Sequence, residues 1–196
     1  MYSAVMSDNE RLKHYLEQSA RSLIACQKLE FEILKVVDVC VEAISSNCKI
    51  LWCGNGGSAS DSLHLSTELV GRFKKNRKPI SSMSLSTNVA LITALANDYG
   101  YESVFERQVE AFGRKGDVCI GISTSGESRS VINALAAAQD LGVTAIAFTG
   151  EKECSLWSNA DVVLAAPTSE TSHIQECHIT LGQFICGEIE RYFFGD

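Results

Sequence analysis

The sequence predicts an α/β fold in which helices cover both faces of a parallel sheet. Short and almost continuously apolar runs alternate along the chain with longer segments of helical periodicity. Strands that are apolar throughout are typical of a sheet buried on both faces, and helices between successive strands make those strands parallel. Glycines that follow helical segments, such as Gly142, mark helix ends.

The first expected elements are one or two long amphipathic helices between residues 7 and 46. This segment contains neither proline nor glycine, and its apolar residues recur at helical spacing. Helices that precede the first strand can pack against another subunit of an oligomer, or they can cover the sheet of their own chain. The sequence leaves both arrangements open.

Five strands then alternate with helices. The expected strands are residues 49–53, 80–85, 117–123, 143–149 and 162–166. The first helix after the glycine-rich segment is expected to begin at about residue 58. The next three are expected over residues 87–95, 102–114 and 129–141, and the last is expected to begin at about residue 172. Residues 97–100 are expected to break the helix before them. Because the 196 residues contain no internal repeat and no linker, we expect one domain over residues 1–196.

Composition and charge argue against several classes of protein. Apolar residues make up 45% of the chain and charged residues 21%, which is ordinary for a soluble globular protein. The net charge of -7 argues against nonspecific binding of nucleic acid. Residues 72–78 form the one dense basic run. We interpret it as a solvated loop, with a contact for nucleic acid or for an acidic partner as the lesser alternative.

The eight cysteines are interpreted as reduced thiols. Six of them lie in apolar segments, and the sequence has no CxxC pair and no zinc-finger spacing. It also has no secretory signal and no apolar run of the roughly 20 residues that span a bilayer. We therefore expect a cytoplasmic protein.

A glycine-rich loop follows the first expected strand. Residues 54–57 include three glycines, which permit a tight turn, and Ser58, Ser60 and Asp61 are expected to start the next helix. A strand, a glycine-rich loop and a helix N-terminus together favour binding of an anion such as phosphate. NAD binding is disfavoured because residues 81–86 contain no carboxylate, and a P-loop is disfavoured because no lysine follows the glycines.

A second loop, residues 123–128, places four hydroxyl residues and a glycine between a strand and a helix. Hydroxyl and backbone N–H groups can bind phosphate oxygens without a fixed positive charge. The plainer alternative is a capped helix start, for which one hydroxyl is enough. Ligands of parallel sheets bind beyond the carboxyl ends of the strands, so both loops are expected to meet at one ligand.

Two polar clusters lie on expected helices. His64 and Glu68 are four residues apart and share a helix face with Asp61. This pair is typical of two metal ligands or of a base with an orienting neighbour, although an exposed pair is the simpler alternative. A second cluster lies at residues 173–178 of the last helix. It could equally well be a set of polar side chains on the protein surface.

The motifs taken together resemble the sedoheptulose-7-phosphate isomerase (phosphoheptose isomerase) family of the sugar-isomerase (SIS) fold. The matching segments are residues 53–64, 68–73, 96–100, 123–126 and 174–178. They stand in the order and near the spacing of the family, over about residues 30 to 195. The resemblance implies a three-layer αβα sandwich with a five-stranded parallel sheet, assembled as a homotetramer with sites between subunits.

The resemblance also implies the reaction and its residues. Sedoheptulose 7-phosphate would become D-glycero-D-manno-heptose 7-phosphate, which leads to the heptose of bacterial surface polysaccharide. The implied substrate contacts are Asn55, Gly56, Gly57, Glu68, Asn97, Asp98, Ser123, Thr124, Ser125, Ser128 and Gln175. Glu68 matches the catalytic carboxylate of the family. Glu68, His64 and Gln175 match three ligands of a zinc ion.

One position departs from the family pattern. The family has a histidine eight residues after Gln175, as the acid/base partner and fourth zinc ligand, and this chain has Gln183 there. A glutamine cannot exchange a proton near neutral pH, but its amide can donate a hydrogen bond to an enediolate. We therefore expect an isomerase with Glu68 and Gln183 at its centre. The alternative is a non-catalytic SIS protein that binds a partner, such as a replication initiator.

Overall fold

A five-stranded parallel sheet lies at the centre of the structure, a computed structural model that describes residues 8–195. Its strands are β1 (Ile50–Gly54), β2 (Ser82–Ser84), β3 (Val118–Ile122), β4 (Thr144–Gly150) and β5 (Val162–Ala166). They lie in the order β2-β1-β3-β4-β5, and every neighbouring pair is parallel. The predicted α/β class and the five-stranded parallel sheet are confirmed.

Helices surround this sheet. They are α1 (Asp8–Ala25), α2 (Glu30–Ser45), α3 (Gly57–Val70), α4 (Val89–Tyr99), α5 (Glu106–Phe112), α6 (Arg129–Asp140) and α7 (Thr171–Phe194). Short 3₁₀ turns span Cys26–Leu29, Tyr101–Ser103 and Trp157–Asn159. Within residues 8–195, no helix is both long and apolar enough to span a membrane. All eight cysteines are free.

The sheet has a separate hydrophobic core on each face. Successive side chains of a strand point to opposite faces, so Trp52 packs with α2, α3 and α7, while Leu51 and Cys53 pack with α4, α5 and α6. Every residue of β1 and β3 is buried, as the apolar runs predicted. The result is the expected three-layer αβα sandwich.

Two expected helix boundaries were wrong. The helix expected over residues 87–95 continues to Tyr99, so Asn97 and Asp98 are helical, and the break comes at Gly100, where φ is +90°. The single helix expected over residues 102–114 is a 3₁₀ turn followed by α5. Val104 and Phe105 lie between the 3₁₀ turn and α5, and both are buried. The helix is interrupted because these two side chains pack into the core.

The start of α3 also differs from the prediction. Gly56, at φ +57°, is the N-cap, so the predicted helix-start residues lie within the first turns and none of them caps the helix. The amides of Ser58 and Ala59 donate to the carbonyls of Asn55 and Gly56 at 3.0 and 3.1 Å. The first amides of a helix lack partners within the helix and can bind an anion. Because these two amides are already bonded, this loop offers fewer amide donors than the glycine pattern suggested.

The buried His178 contributes less to stability as the pH falls. Its ring is fully buried on α7, and burial lowers its pKa from 6.5 to about 4, although a 2.9 Å hydrogen bond with the Thr149 carbonyl acts in the opposite direction. The unfolded chain takes up a proton below pH 6.5 and the folded chain does not until about pH 4. We expect the contribution of His178 to the unfolding free energy to fall by about 3 kcal/mol over this interval.

Chemical denaturation between pH 7 and pH 4 measures this effect. In a His178→Gln variant this contribution is absent, so its unfolding free energy should fall less between pH 7 and pH 4 than that of the unsubstituted protein, even if its absolute stability is lower. His14, which is exposed on α1, provides the matched control, because His14→Gln should leave the slope unchanged. Equal slopes for the His178→Gln variant and the unsubstituted protein would contradict the prediction.

Candidate active site

The two predicted loops meet at the carboxyl edge of the sheet. Asn55, in the glycine-rich loop after β1, donates from Nδ2 to Ser128 Oγ at 2.7 Å and to Ser130 Oγ at 3.0 Å. Its Oδ1 accepts a 2.6 Å hydrogen bond from the Tyr101 hydroxyl. One amide side chain therefore ties the glycine-rich loop to the loop of residues 123–128, as the parallel-sheet rule predicted.

The loop of residues 123–128 (the hydroxyl loop) is held in a tight turn by its own side chains. Ser123 Oγ accepts from the Gly126 amide at 3.1 Å, and Ser125 Oγ accepts from the Glu127 amide at 3.2 Å. Gly126 has φ +67°, and a Cβ there would lie 1.9 Å from Cys154 Sγ. The plainer alternative of a side-chain cap is wrong, because Ser128 precedes α6 without capping it and its hydroxyl bonds to Asn55.

A cavity of about 290 Å³ opens beside this loop. Thr124 and Ser125 line it together with Gly150 and residues at the start of α7. Lys152 also lines it and supplies a positive charge, with Glu151 as its acidic neighbour. The cavity thus has hydroxyl groups and a cation at the position where the sequence predicted a phosphate.

The predicted His64–Glu68 pair is formed on α3. His64 Nε2 lies 2.9 Å from Glu68 Oε1, and the two side chains are 49% and 18% exposed. Asp61 lies nearby on α3, and its Oδ2 is buried without a hydrogen-bond partner among the described residues. Burial raises the pKa of Asp61 to about 6, and the charge of His64 partly opposes this shift. Two carboxyl groups and an imidazole are therefore available for proton transfer.

The two glutamines of α7 occupy different surroundings. Gln175 lies against the glycine-rich loop, since a Cβ on Gly57 would come within 2.4 Å of its Nε2. Gln183 lines a cleft with Phe73, Lys74 and other residues, and its side chain makes no hydrogen bond within residues 8–195. The substrate role of Gln175 stays a prediction. The role of Gln183 stays a prediction.

Zinc ligation is only partly matched by the residues of this chain. His64 and Glu68 supply the imidazole and carboxylate that zinc prefers, and they are close enough to chelate one ion. Gln175 and Gln183 supply amide oxygens, which are weak zinc ligands. Within residues 8–195, no three His, Cys, Asp or Glu side chains form a metal-binding cluster.

The remaining predicted contacts lie at the edge of the site. Asn97 and Asp98 are exposed in the last turn of α4, where Asn97 Nδ2 donates to Asp98 Oδ1 at 2.8 Å. Their substrate contacts stay predictions. The sequence prediction did not include Tyr101 and Ser130, which both bond to the side chain of Asn55. Tyr101 directly follows the recognised motif of residues 96–100, and this adjacency was the only signal for it.

Both histidines of the second polar cluster are buried. His173 Nδ1 lies 3.0 Å from Glu176 Oε2, and the same carboxylate accepts from Ser19 Oγ at 2.6 Å. His173 and His178 are at most 2% exposed, so the alternative that they are surface side chains is wrong for both. Glu176 thereby holds α1 against the start of α7, next to Gln175.

Comparison with known proteins identifies the family. Residues 14–150 match the model of the SIS domain. The phosphoheptose isomerase of Aquifex aeolicus (strain VF5) is 46% identical over 183 residues, which cover 93% of this chain and 96% of that protein.

Solved structures agree with this result. The phosphoheptose isomerase of Neisseria gonorrhoeae superposes with a TM-score of 0.89 at 36% identity, covering 94% of this chain and 99% of that one. The phosphoheptose isomerase of Francisella tularensis gives a TM-score of 0.91 at 30% identity, covering 95% of this chain and all of that one. The chain belongs to the phosphoheptose isomerase family of SIS-domain proteins.

Proposed function

We propose that this protein interconverts sedoheptulose 7-phosphate and D-glycero-D-manno-heptose 7-phosphate. The near-full-length similarity to phosphoheptose isomerases is the observation that carries the choice of substrate. The product would serve the synthesis of heptose for surface polysaccharide. Because the carbonyl group only moves from C2 to C1, the reaction requires no oxidant or reductant.

Phosphate binding is assigned to the hydroxyl loop. Thr124 and Ser125 line the cavity with their hydroxyl groups, and Lys152 adds a positive charge. Ser123 and Ser128 belong to the same loop and are proposed to contact the substrate with them. The start of α7 closes the same cavity, so its dipole also favours a dianion. The sugar chain would then extend toward Asn55, Gly56 and Gly57.

Proton transfer is assigned to Glu68. Its carboxylate removes a proton from C1 of the ketose, which leaves an enediolate. The proton on Glu68 exchanges with water, and the carboxyl group then delivers a proton to C2 of the aldose. The proton of the O1 hydroxyl passes to O2 during the same exchange. His64, 2.9 Å from Glu68, orients the carboxylate. The amide of Gln183 would donate a hydrogen bond to the developing oxyanion, which lowers the barrier without exchanging a proton.

A weakly held zinc ion is part of this proposal. His64 and Glu68 would hold it, with the amide oxygens of Gln175 and Gln183 as poorer ligands. When bound, zinc supplies electrostatic stabilisation of negative charge on the sugar oxygens. Glu68 performs the proton transfer described above whether or not the ion is present.

Assembly as a homotetramer, with sites at subunit interfaces, is proposed on the basis of exposed apolar side chains. Leu12, Leu16, Ile24 and Phe31 of the amino-terminal segment are between 57% and 75% exposed, and Phe184 on α7 is 48% exposed. Apolar side chains concentrated on one part of a surface indicate an interface. A sedimentation experiment that finds only a 21.3 kDa species would contradict it. Free thiols are in keeping with a cytoplasmic location.

Turnover of the proposed substrate is the direct test. Purified protein is incubated with sedoheptulose 7-phosphate, with and without zinc, and formation of the aldoheptose phosphate is followed. We expect product in both conditions. Intact ligand binding without turnover in either condition would instead support the alternative of a partner-binding SIS protein, which the similarity to isomerases does not favour.

A further inference from the structure

A buried ion pair joins the two helices that carry Glu68 and Gln183. Arg77 Nε donates to Glu190 Oε2 at 3.0 Å, and the two side chains are only 2% and 3% exposed. Arg77 lies in the segment that follows α3, and Glu190 lies on α7. Burying two charges is costly unless each has further hydrogen-bond partners. The other partners of this pair therefore indicate what it holds in place.

Arg77 holds the carboxyl-terminal end of α3. Its Nη2 donates to the Glu68 carbonyl at 2.8 Å, and its Nη1 donates to the Leu69 carbonyl at 2.6 Å. The last carbonyls of a helix have no partner within the helix, and a cation at this end also interacts favourably with the helix dipole. Arg77 thus fixes the backbone of the residue to which we assign proton transfer.

Glu190 holds the loop between α3 and Arg77. Its Oε1 accepts from the amides of Lys74 and Lys75 at 2.9 and 3.0 Å, and its Oε2 accepts from the Phe73 amide at 3.2 Å. Burial acts to raise the pKa of Glu190, but these amides and the guanidinium group outweigh it and lower the pKa. The carboxylate is therefore ionised and engaged on both of its oxygens.

Gln183 lies on the same face of α7 as Glu190. The two residues are seven positions apart, which is about two helical turns and brings their side chains to within about 20° of each other around the axis. Both line the cleft that is also formed by Phe73, Lys74 and Lys75. The cleft beside Gln183 is thus built on the loop that Glu190 holds.

We propose that Arg77 and Glu190 are positioning residues for the isomerisation, which set the placement of Glu68 on α3 relative to Gln183 on α7. Neither side chain touches the substrate in this proposal. The inference rests on the proposed function. A positioning role differs from a purely structural role, because it predicts a slower chemical step in protein that is fully folded and still binds substrate.

Two conservative variants separate these roles. Arg77→Lys keeps the positive charge beside Glu190, but a lysine lacks the planar group of donors that reaches the Glu190 carboxylate and two carbonyls together. Glu190→Gln keeps an oxygen for the loop amides and removes the charge that orients Arg77. If one variant is too unstable to purify, the other still provides the measurement.

We expect each variant to lower kcat by about tenfold to a hundredfold, because small displacements of reacting groups have effects of this size. KM should change by less than about threefold, since the hydroxyl loop makes no contact with the pair. Kinetics are measured well below the melting temperature of each variant, and circular dichroism verifies that the protein is folded. The pH profile of kcat should also change, because Glu68 is displaced from His64.

Asp117 supplies the matched control. This buried carboxylate pairs with Lys49 and accepts from the amides of Lys49 and Arg114 at 2.9 and 2.8 Å. It precedes β3 and therefore lies at the opposite edge of the sheet from the candidate site. Asp117→Asn should lower the melting temperature and leave kcat within about twofold, since sites far apart act independently.

The possible outcomes are distinct. An active unsubstituted protein whose Arg77→Lys and Glu190→Gln variants lose stability but keep kcat and its pH profile would overturn the positioning role. The proposed function would then stand. An unsubstituted protein that does not turn over sedoheptulose 7-phosphate would overturn the proposed function, and this inference with it.

Discussion

A Glu68→Gln variant is expected to lose kcat by about 10²- to 10⁴-fold, the contribution usual for a positioned general base. Glutamine has the same shape as glutamate and can still accept a hydrogen bond from His64, so the fold and the geometry of α3 should persist. It cannot accept a proton from a sugar carbon near neutral pH. The loss should therefore fall on kcat, with little change in KM.

Exchange of substrate hydrogen with solvent gives a second measurement of the same step. In D₂O, the unsubstituted protein should introduce deuterium at the carbon that receives the proton, and the Glu68→Gln variant should not. Glu42, which is exposed on α2, provides the control, because Glu42→Gln should behave as the unsubstituted protein does. A Glu68→Gln variant with an unchanged rate would show that another group, such as Asp61 or His64, is the base.

The placement of the two loops could be predicted from the sequence because it follows from topology. Once residues 50–54 and 118–122 are recognised as parallel strands, their carboxyl ends must lie at one edge of the sheet. The hydrogen bond from Asn55 to Ser128 could not be predicted in the same way. It depends on the rotamer of one side chain and on Ser128 not capping α6, and both are decided by three-dimensional packing.

Burial explains the other differences from the sequence prediction. His173 and His178 are polar residues on the last helix, and only the packing of α1 and of the sheet against α7 makes them interior residues. The Arg77–Glu190 pair joins positions 113 residues apart, so no local pattern indicates it. The basic run that contains Arg77 was interpreted as a solvated loop, which is wrong for this residue, whose side chain is 2% exposed.

A Gln183→His variant is expected to raise kcat by about 10²-fold, since an imidazole adds a proton-transferring group where the amide can only donate a hydrogen bond. Gln183 has no hydrogen-bond partner to lose within residues 8–195, and it is only partly buried. The substitution should therefore have little effect on stability. The variant should also bind zinc more tightly, because imidazole is a better zinc ligand than an amide oxygen.

Zinc affinity, measured by calorimetry, separates the two effects of the imidazole. A gain in both affinity and kcat would place position 183 beside His64 and Glu68, within reach of the ion and of the reacting carbons. Gln139→His adds a histidine on the exposed surface of α6 and should change neither quantity. If the Gln183→His substitution also left both zinc affinity and kcat unchanged, residue 183 would lie outside the reacting centre. Glu68 and His64 would then have to carry the acid–base chemistry without help from α7.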